Sequence, residues 1–405
     1  MAAKKYRVLI ERFADQGRCV AHVDGRVVFV RFALPGEDEL ICIDEPARPS
    51  DKFWTGEVEE VYSPSPFRVP PSWPEAGPVS QGGGLGGADL CHVSLEGQIE
   101  WKRQVIESQL ERLAKVKAEC PVERLQFDVD NGGLYWRSRI DLVANKQGFP
   151  SMRKRGSRSL VPIRTMPLCC APLLQEAGKA GIWGGGLPAN APVRLSIGNG
   201  KEEGNFSISV GGKIVSGKGE LSEEVTLADR RYHYKVRQDC FWQVHILAAQ
   251  TLVSYVFSLA KEFSGKRAWD LYSGSGLFTL PLGSLFGEVK SVEQAPLAVE
   301  AARKNAGKDP RFDIRRGEVA KAIPSLGTTP DLTVADPSRA GLGREVCGEL
   351  GKKGVPALVY VSCNPTTFAR DCGFLAEDGY SMASLKGFDL YPSTHHVEVA
   401  GLFLK

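Results

Sequence analysis

The chain has 405 residues, 42% hydrophobic and 24% charged, with a formal net charge of +3. That length predicts two or three domains, each with a core, in a soluble globular protein. The charge is too small to name a nucleic-acid partner by itself, and no apolar run is long enough to cross a bilayer.

The start leads into Arg7-Val8-Leu9-Ile10 without the long apolar core of a secretory signal, so a cytoplasmic protein with no membrane association is expected. Ten cysteines run from Cys19 to Cys372. In that compartment they read mainly as small buried hydrophobes, not as a disulfide framework. Residues 6–61 predict a small OB-like β-barrel. Arg7-Val8-Leu9-Ile10, Cys19-Val20-Ala21-His22-Val23, Val27-Val28-Phe29-Val30 and Leu40-Ile41-Cys42-Ile43 are β-prone runs, with hairpin or turn signals at Asp24-Gly25 and Pro35-Gly36. Residues 4–31 hold seven basic and three acidic side chains, whereas residues 37–60 are acidic. An RNA-facing side and a merely solvated charged surface fit that pattern equally.

Residues 64–87 are rich in proline and glycine and predict an irregular crossover. A helix follows at residues 98–117, with Trp101, Val105, Leu110 and Leu113 as its buried stripe and basic residues opposite. From Arg137 to Arg164 there are eight Lys/Arg residues against the single acid Asp141. Such lopsided charge suits a phosphate backbone, so Arg153, Lys154, Arg155 and Arg158 are candidate RNA contacts, with an ordinary basic face as the alternative. Phe206-Ser207-Ile208-Ser209-Val210 before Gly211-Gly212 signals another hairpin.

From residue 236 the pattern changes. A helix at residues 244–263 precedes strands at residues 267–272, 288–293, 331–336 and 357–362, with helices at 297–305 and 368–377 and a late, antiparallel strand at 397–403. This alternation predicts a mostly parallel, Rossmann-like sheet with ligands beyond its carboxyl ends. Asp270-Leu271-Tyr272-Ser273-Gly274-Ser275-Gly276 reads as strand, tight turn and helix entry. Gly274 and Gly276 permit close backbone approach, but the dinucleotide and P-loop glycine patterns are incomplete. Glu293 ends the next strand, where a carboxylate can accept from ribose hydroxyls. S-adenosylmethionine, an adenosine ligand without pyrophosphate, fits that arrangement. Asp270 could position its methionine end or simply cap the strand.

Asp336, Cys363 and Glu398 complete the constellation. Asp336 ends a strand before Pro337-Ser338-Arg339 and can accept from an imide N–H. Cys363 ends the following strand before Asn364-Pro365, where a thiolate could add to C6 of a pyrimidine and activate C5. Glu398, a carboxylate within an apolar strand, is the candidate base for the C5 proton, with His395 and His396 as alternatives on opposite faces of that strand.

Phe241-Trp242-Gln243, the glycine loop, Asp336-Pro337-Ser338-Arg339, Tyr360-Val361-Ser362-Cys363-Asn364-Pro365 and His396-Val397-Glu398 together resemble the S-adenosylmethionine-dependent RNA uracil-C5 methyltransferase family. These are the 5-methyluridine enzymes of tRNA and 23S rRNA. The resemblance implies a multidomain α/β protein: a TRAM-like barrel at 1–61, a connector and central RNA-binding α+β domain at 62–235, and a class I methyltransferase domain at 236–405. It implies Cys363 as nucleophile, Glu398 as base, Asp336 on the target uracil and Phe241 packed near it. Gln243 and Glu293 are implied as cofactor contacts, with Asp270, Tyr272, Gly274 and Gly276 in the cofactor loop.

The chain departs from the family in two places. Ser338 stands where Asp-Pro-Pro-Arg has its second proline. Leu85-Gly86-Gly87-Ala88 stands where many relatives carry Cys-Gly-Gly-Cys, and Met166 stands for a later cysteine. A 4Fe–4S cluster needs four thiolates, so none is expected, and no obligate protein partner is inferred. RNA cytosine-C5 methylation and noncatalytic RNA binding are the alternatives. Asp336 and the Cys-Asn-Pro setting favour uracil.

Overall fold

The computed structural model describes residues 4–44 and 50–405. Residues 1–3 of the N-terminal reading and residues 45–49 of the acidic stretch lie outside them. β1 (Lys5–Leu9), β2 (Arg12–Ala14), β3 (Arg18–Val23), β4 (Arg26–Arg31), β5 (Asp38–Ile43) and β6 (Trp54–Ser63) form a curled sheet in the order β1-β5-β6-β4-β3-β2. The short β2 and the long β6 are strands that the sequence pattern did not single out. Asp24 and Gly25 both take positive φ, 49° and 76°. That geometry is what a two-residue turn needs to follow the twist of the flanking strands. The inward side is apolar, and Val20, Val28, Val30 and Ile41 are fully buried.

The barrel does not own its core. Its inner residues share one cluster with Trp73, Leu90, Trp101, Met166 and Leu195 from the connector and central segment. The linking helix α1 (Leu95–Gln109) is capped by Ser94, whose side chain accepts from Gly97 N–H. A π turn, Leu110–Ala114, ends it. Trp101 and Val105 are buried as the spacing predicts, but Lys102 is buried with them, 1% exposed. The expectation that the basic residues all line the solvent face therefore fails at Lys102. Its ammonium pairs with Asp389, and burial is tolerated because the charge is matched.

The central segment continues with β7 (Val122–Arg124), α2 (Gln126–Asp130), β8 (Arg139–Ala144), β9 (Pro150–Arg153), β10 (Leu160–Pro162), α3 (Ala171–Lys179), β11 (Pro192–Ile197), β12 (Phe206–Val210) and β13 (Lys213–Gly217). Its antiparallel sheet runs β10-β9-β8-β11-β12-β13. β7 leaves this sheet and pairs in parallel with a strand of the C-terminal sheet. The hairpin β14 (Glu220–Leu227) and β15 (Arg230–Arg237) packs Val225, Tyr234 and Val236 onto the C-terminal core. Both crossings tie the central segment to the sheet that follows.

That sheet is built from α4 (Ala248–Ala260), β16 (Gly265–Leu271), α5 (Thr279–Leu282), β17 (Phe286–Glu293), α6 (Pro296–Ala306), β18 (Phe312–Arg316), α7 (Val319–Ala322), β19 (Leu332–Ala335), α8 (Gly343–Lys353), β20 (Ala357–Ser362), α9 (Pro365–Glu377), β21 (Ser381–Asp389) and β22 (Glu398–Leu404). The order is β18-β17-β16-β19-β20-β22-β21-β7. The first five strands are parallel, and β22 runs antiparallel between β20 and β21. This is the expected Rossmann-like class I architecture. Strand order reverses between β16 and β19, which opens a crevice beyond their carboxyl ends.

Candidate active site

β20 is buried at every position, so it fixes the height at which Cys363 emerges. Asn364 Oδ1 then accepts from Thr366 N–H at 3.0 Å, and Pro365 opens α9. This cap sets the turn that leaves the thiol at the strand end. In the antiparallel register Ser362 faces Val399. One step further, Cys363 and Glu398 stand level on adjacent strands. β19 is likewise buried throughout and delivers Asp336, whose N–H donates to Leu271 O at 3.3 Å. The expected nucleophile, base and uracil-facing acid thus meet at one sheet edge.

Their environments are coupled. Burial, and then the charges of Glu398 and Asp336, push the Cys363 thiol up to about 12. Burial also pushes Glu398 up to about 7, although Tyr391 and Arg339 pull it back. Asp336 rises well above its usual range through burial and then the charges of Glu398 and Asp270. Shared burial and like charge cause these shifts, the pattern of a candidate functional site. Arg339 is the cation that opposes them, and its Nη2 donates to His396 Nε2 at 3.2 Å. His396 stays neutral because burial, then His395 and Arg339, hold it down to about 3. His395 Nδ1 lies 2.7 Å from Asp89. Both histidines sit in the loop before β22 and not on the strand, their rings 4.0 Å apart. The expectation of opposite strand faces is therefore corrected: Glu398, the first strand residue, is the one the β pairing fixes.

On the cofactor side, Asp270 is wholly buried and accepts from Thr279 Oγ1, while its Oδ1 has no partner among the described residues. Burial and then Glu293 push it up to about 7, against the Thr279 hydrogen bond. Tyr272 takes a positive φ of 63°, and its ring packs on the α8–α9 side of the sheet. Gly274, at φ 52°, has nothing within 4 Å of a would-be Cβ, so the loop is open there. Gly276, at φ 91°, lies against Ala302 of α6. Glu293 accepts from Gly274 N–H at 3.0 Å and from Ala295 N–H at 2.7 Å, bracing the loop to the next helix. The Ser273 and Ser275 hydroxyls are buried without partners among the described residues. Orphaned polar atoms and excess carboxylate charge suit a cationic, hydroxyl-bearing ligand. Gln243, 5% exposed, lines a cavity of about 450 Å³ with Tyr135, Trp242 and His245, and the lining of that cavity includes none of Asp270, the glycine loop or Glu293.

The candidate RNA contacts divide. Phe241 is 74% exposed, an aromatic face offered to solvent. Arg153, Lys154 and Arg158 are exposed and make no ion pair among the described residues. Arg155 departs from the expectation of a phosphate contact. Its guanidinium turns inward to Glu57 at 3.0 Å and to the carbonyls of Ala76 and Leu85, and it covers the Phe32 ring at 4.3 Å. These partners occupy Nη1 and Nη2, leave Nε without a partner among the described residues, and tie the barrel to the connector. Nearby, Leu85, Ala88 and Met166 are buried in one apolar cluster with Cys91, Cys169 and Cys170.

Two features escaped the sequence. Tyr391 donates its hydroxyl to Glu398 Oε1 at 2.7 Å. His245, stacked on Trp136, lies 3.0 Å from Asp128 in a fully buried pair. His245 and Asp128 are 117 residues apart, and Tyr391 and Glu398, only seven apart, flank the irregular loop before β22, where no periodicity applies.

A family model described as tRNA (Uracil-5-)-methyltransferase matches residues 206–314 and 329–405, and a TRAM domain model matches residues 1–43. The chain is 44% identical to an uncharacterized RNA methyltransferase of Bifidobacterium longum, over 98% of this chain and 96% of that protein. It is 28% identical to the 23S rRNA (uracil(1939)-C(5))-methyltransferase RlmD of Vesicomyosocius okutanii, over 99% and 98% of the two chains. Among solved structures, Pyrococcus abyssi tRNA (uracil-54, C5)-methyltransferase in complex with S-adenosyl-L-homocysteine superposes with a TM-score of 0.73 at 22% identity, covering 98% of this chain and 100% of that one.

Proposed function

The chain belongs to the tRNA (uracil-5-)-methyltransferase family, and from that premise we propose that it methylates C5 of a uridine in structured RNA, tRNA or 23S rRNA, through a covalent cysteine adduct. The observation that carries this reading is the meeting of Cys363, Asp336 and Glu398 at one sheet edge, each perturbed by burial and the last two raising the first.

The residues that would hold S-adenosylmethionine are the Tyr272–Gly276 loop with Asp270, and Glu293 for the ribose hydroxyls, with Gln243 as the further contact the family resemblance implies. Bound there, it supplies an electrophilic methyl group next to a carboxylate-rich crevice. The target base must leave its stack to reach Cys363. Exposed Phe241 gives it a face to pack on, and Asp336 accepts from uracil N3–H. Neutral cytosine lacks that proton. The thiol needs help to ionise, and Arg339 together with added positive charge in the crevice supplies it.

Cys363 Sγ bonds to C6, placing enolate character on C5 and O4. Once C5 carries the methyl group, Glu398 takes the remaining C5 proton. The freed electron pair restores the C5–C6 double bond and expels Cys363 as thiolate. RNA containing 5-fluorouridine tests this sequence, because fluorine cannot leave as a proton and the adduct persists. Mass analysis should map a methylated RNA adduct to Cys363 and find none with Cys363→Ala. Efficient C5 methylation by Cys363→Ala would overturn the mechanism. An RNA-binding protein without activity would bind and leave no adduct.

A further inference from the structure

Glu398 uses only one of its carboxylate oxygens within the protein. Oε1 accepts from Tyr391 at 2.7 Å, while Oε2 makes no protein hydrogen bond among the described residues. Tyr391 lies in the loop between β21 and β22, its ring edge-on to Trp136 at 5.9 Å and to His396 at 5.9 Å. The backbone of that loop is pinned from the central segment. Lys102 Nζ, on α1, donates to Tyr391 O at 3.0 Å and to Asp389. Arg124, on β7, holds the other Asp389 oxygen through Nε at 2.8 Å. Gln98 Oε1 accepts from Ser393 N–H at 2.9 Å. Three side chains from the segment before the catalytic sheet therefore fix where the Tyr391 hydroxyl points.

Resting on the reading of Glu398 as the base, we propose that Tyr391 is its positioning residue. The phenol occupies Oε1 and aims Oε2 at the C5 proton, and Lys102 and Arg124 hold the loop that carries it. The phenol is a donor in this pair because burial, with the charges of Glu398, Cys363 and Asp336, keeps its proton in place. A donor on a carboxylate favours the ionised form, which is the form that can accept a proton. The other groups facing Glu398 are Asp336 after β19, Arg339 in the following loop and Cys363 after β20, with His396 bonded to Arg339. Arg339 also favours ionisation of Glu398, so removal of the phenol should act as a shift and not as an abolition.

The test follows release of 5-methyluridine RNA from the covalent adduct as a function of pH. Tyr391→Phe should form the 5-fluorouridine adduct at the normal rate, because Cys363 acts before the base. Its acid limb for release should move up by about one pH unit, about tenfold slower release on the acid side, as expected when one hydrogen bond to a charged group is removed. Replacement of Tyr391 by 3-fluorotyrosine keeps the shape and strengthens the donor, so it should move the limb the other way. That second variant decides the matter if Tyr391→Phe does not fold. Unchanged acid limbs would overturn the positioning role while leaving Glu398 as base. Normal release by Glu398→Gln would instead overturn the reading beneath it.

Discussion

Asp389 closes β21 and Glu398 opens β22, and both are buried, 0% and 4% exposed. Asp389 meets two cations, Lys102 and Arg124. Burial drives its pKa up, but those partners outweigh burial and leave it below the ordinary carboxylate range. Glu398 meets one phenol and a more distant arginine, and burial wins, leaving it near 7. Nine residues apart, one acid is paired with cations that hold a loop and the other keeps a raised pKa, as the proposed base requires. Compensation separates a structural charge from a reactive one more sharply than burial does.

The comparison breaks first at Glu398. Glu398→Gln keeps shape and hydrogen bonding but cannot take a proton, so single-turnover release should slow by about 10²–10⁴-fold while adduct formation survives. In the parent protein release should rise with pH through about 7, because the base works only once its proton has left. The variant should lose that rise. Release with a flat pH profile in the parent would return the role to His396 or water.

Asp389→Asn tests the other half. It leaves Lys102 and Arg124 buried without their counter-charge, and breaking such a pair typically costs about 3–5 kcal/mol. Denaturant unfolding should show that loss. A variant as stable as the parent would mean that water or rearrangement supplies the missing charge. Burial lowers the Lys102 ammonium to about 8 even with Asp389 in place, so without its partner it should ionise still less readily.

How far the sequence carried this reading depended on what each feature needs from the rest of the chain. Cys363, Asp336 and Glu398 were legible because each stands at an end of a β-prone run, and an alternating α/β pattern brings such ends to one edge. The hairpin at Asp24-Gly25 was legible because only a few residues adopt its backbone angles. Lys102 was not, since its period on the helix says which face it takes but not that Asp389 waits 287 residues away. Tyr391 was hidden although Glu398 is only seven residues on, because the loop between them has no periodicity to say where its hydroxyl points. β7 was hidden because three residues joining the edge of a remote sheet leave no periodicity to read.

Arg155 shows the same limit in the basic segment and gives the mildest test. By charge alone it cannot be told from Arg153, Lys154 and Arg158, yet it is bound to Glu57 and three carbonyls while they face solvent. If the exposed three pair with phosphates, exchanging them together for glutamine should weaken RNA binding across related sequences. The slope of log affinity against log salt should fall by roughly 0.7–0.9 for each phosphate left without its cation, with S-adenosylmethionine affinity unchanged. Arg155→Met should leave that slope alone and lower thermal stability instead, because the barrel–connector seam loses its cation and Glu57 is left with Arg31. Identical salt slopes in the triple variant and the parent would assign the exposed residues to a solvated face. A change of slope in Arg155→Met would mean that the buried arginine is reached by RNA after all, and that the distinction between compensated and available charge fails where it was drawn most simply.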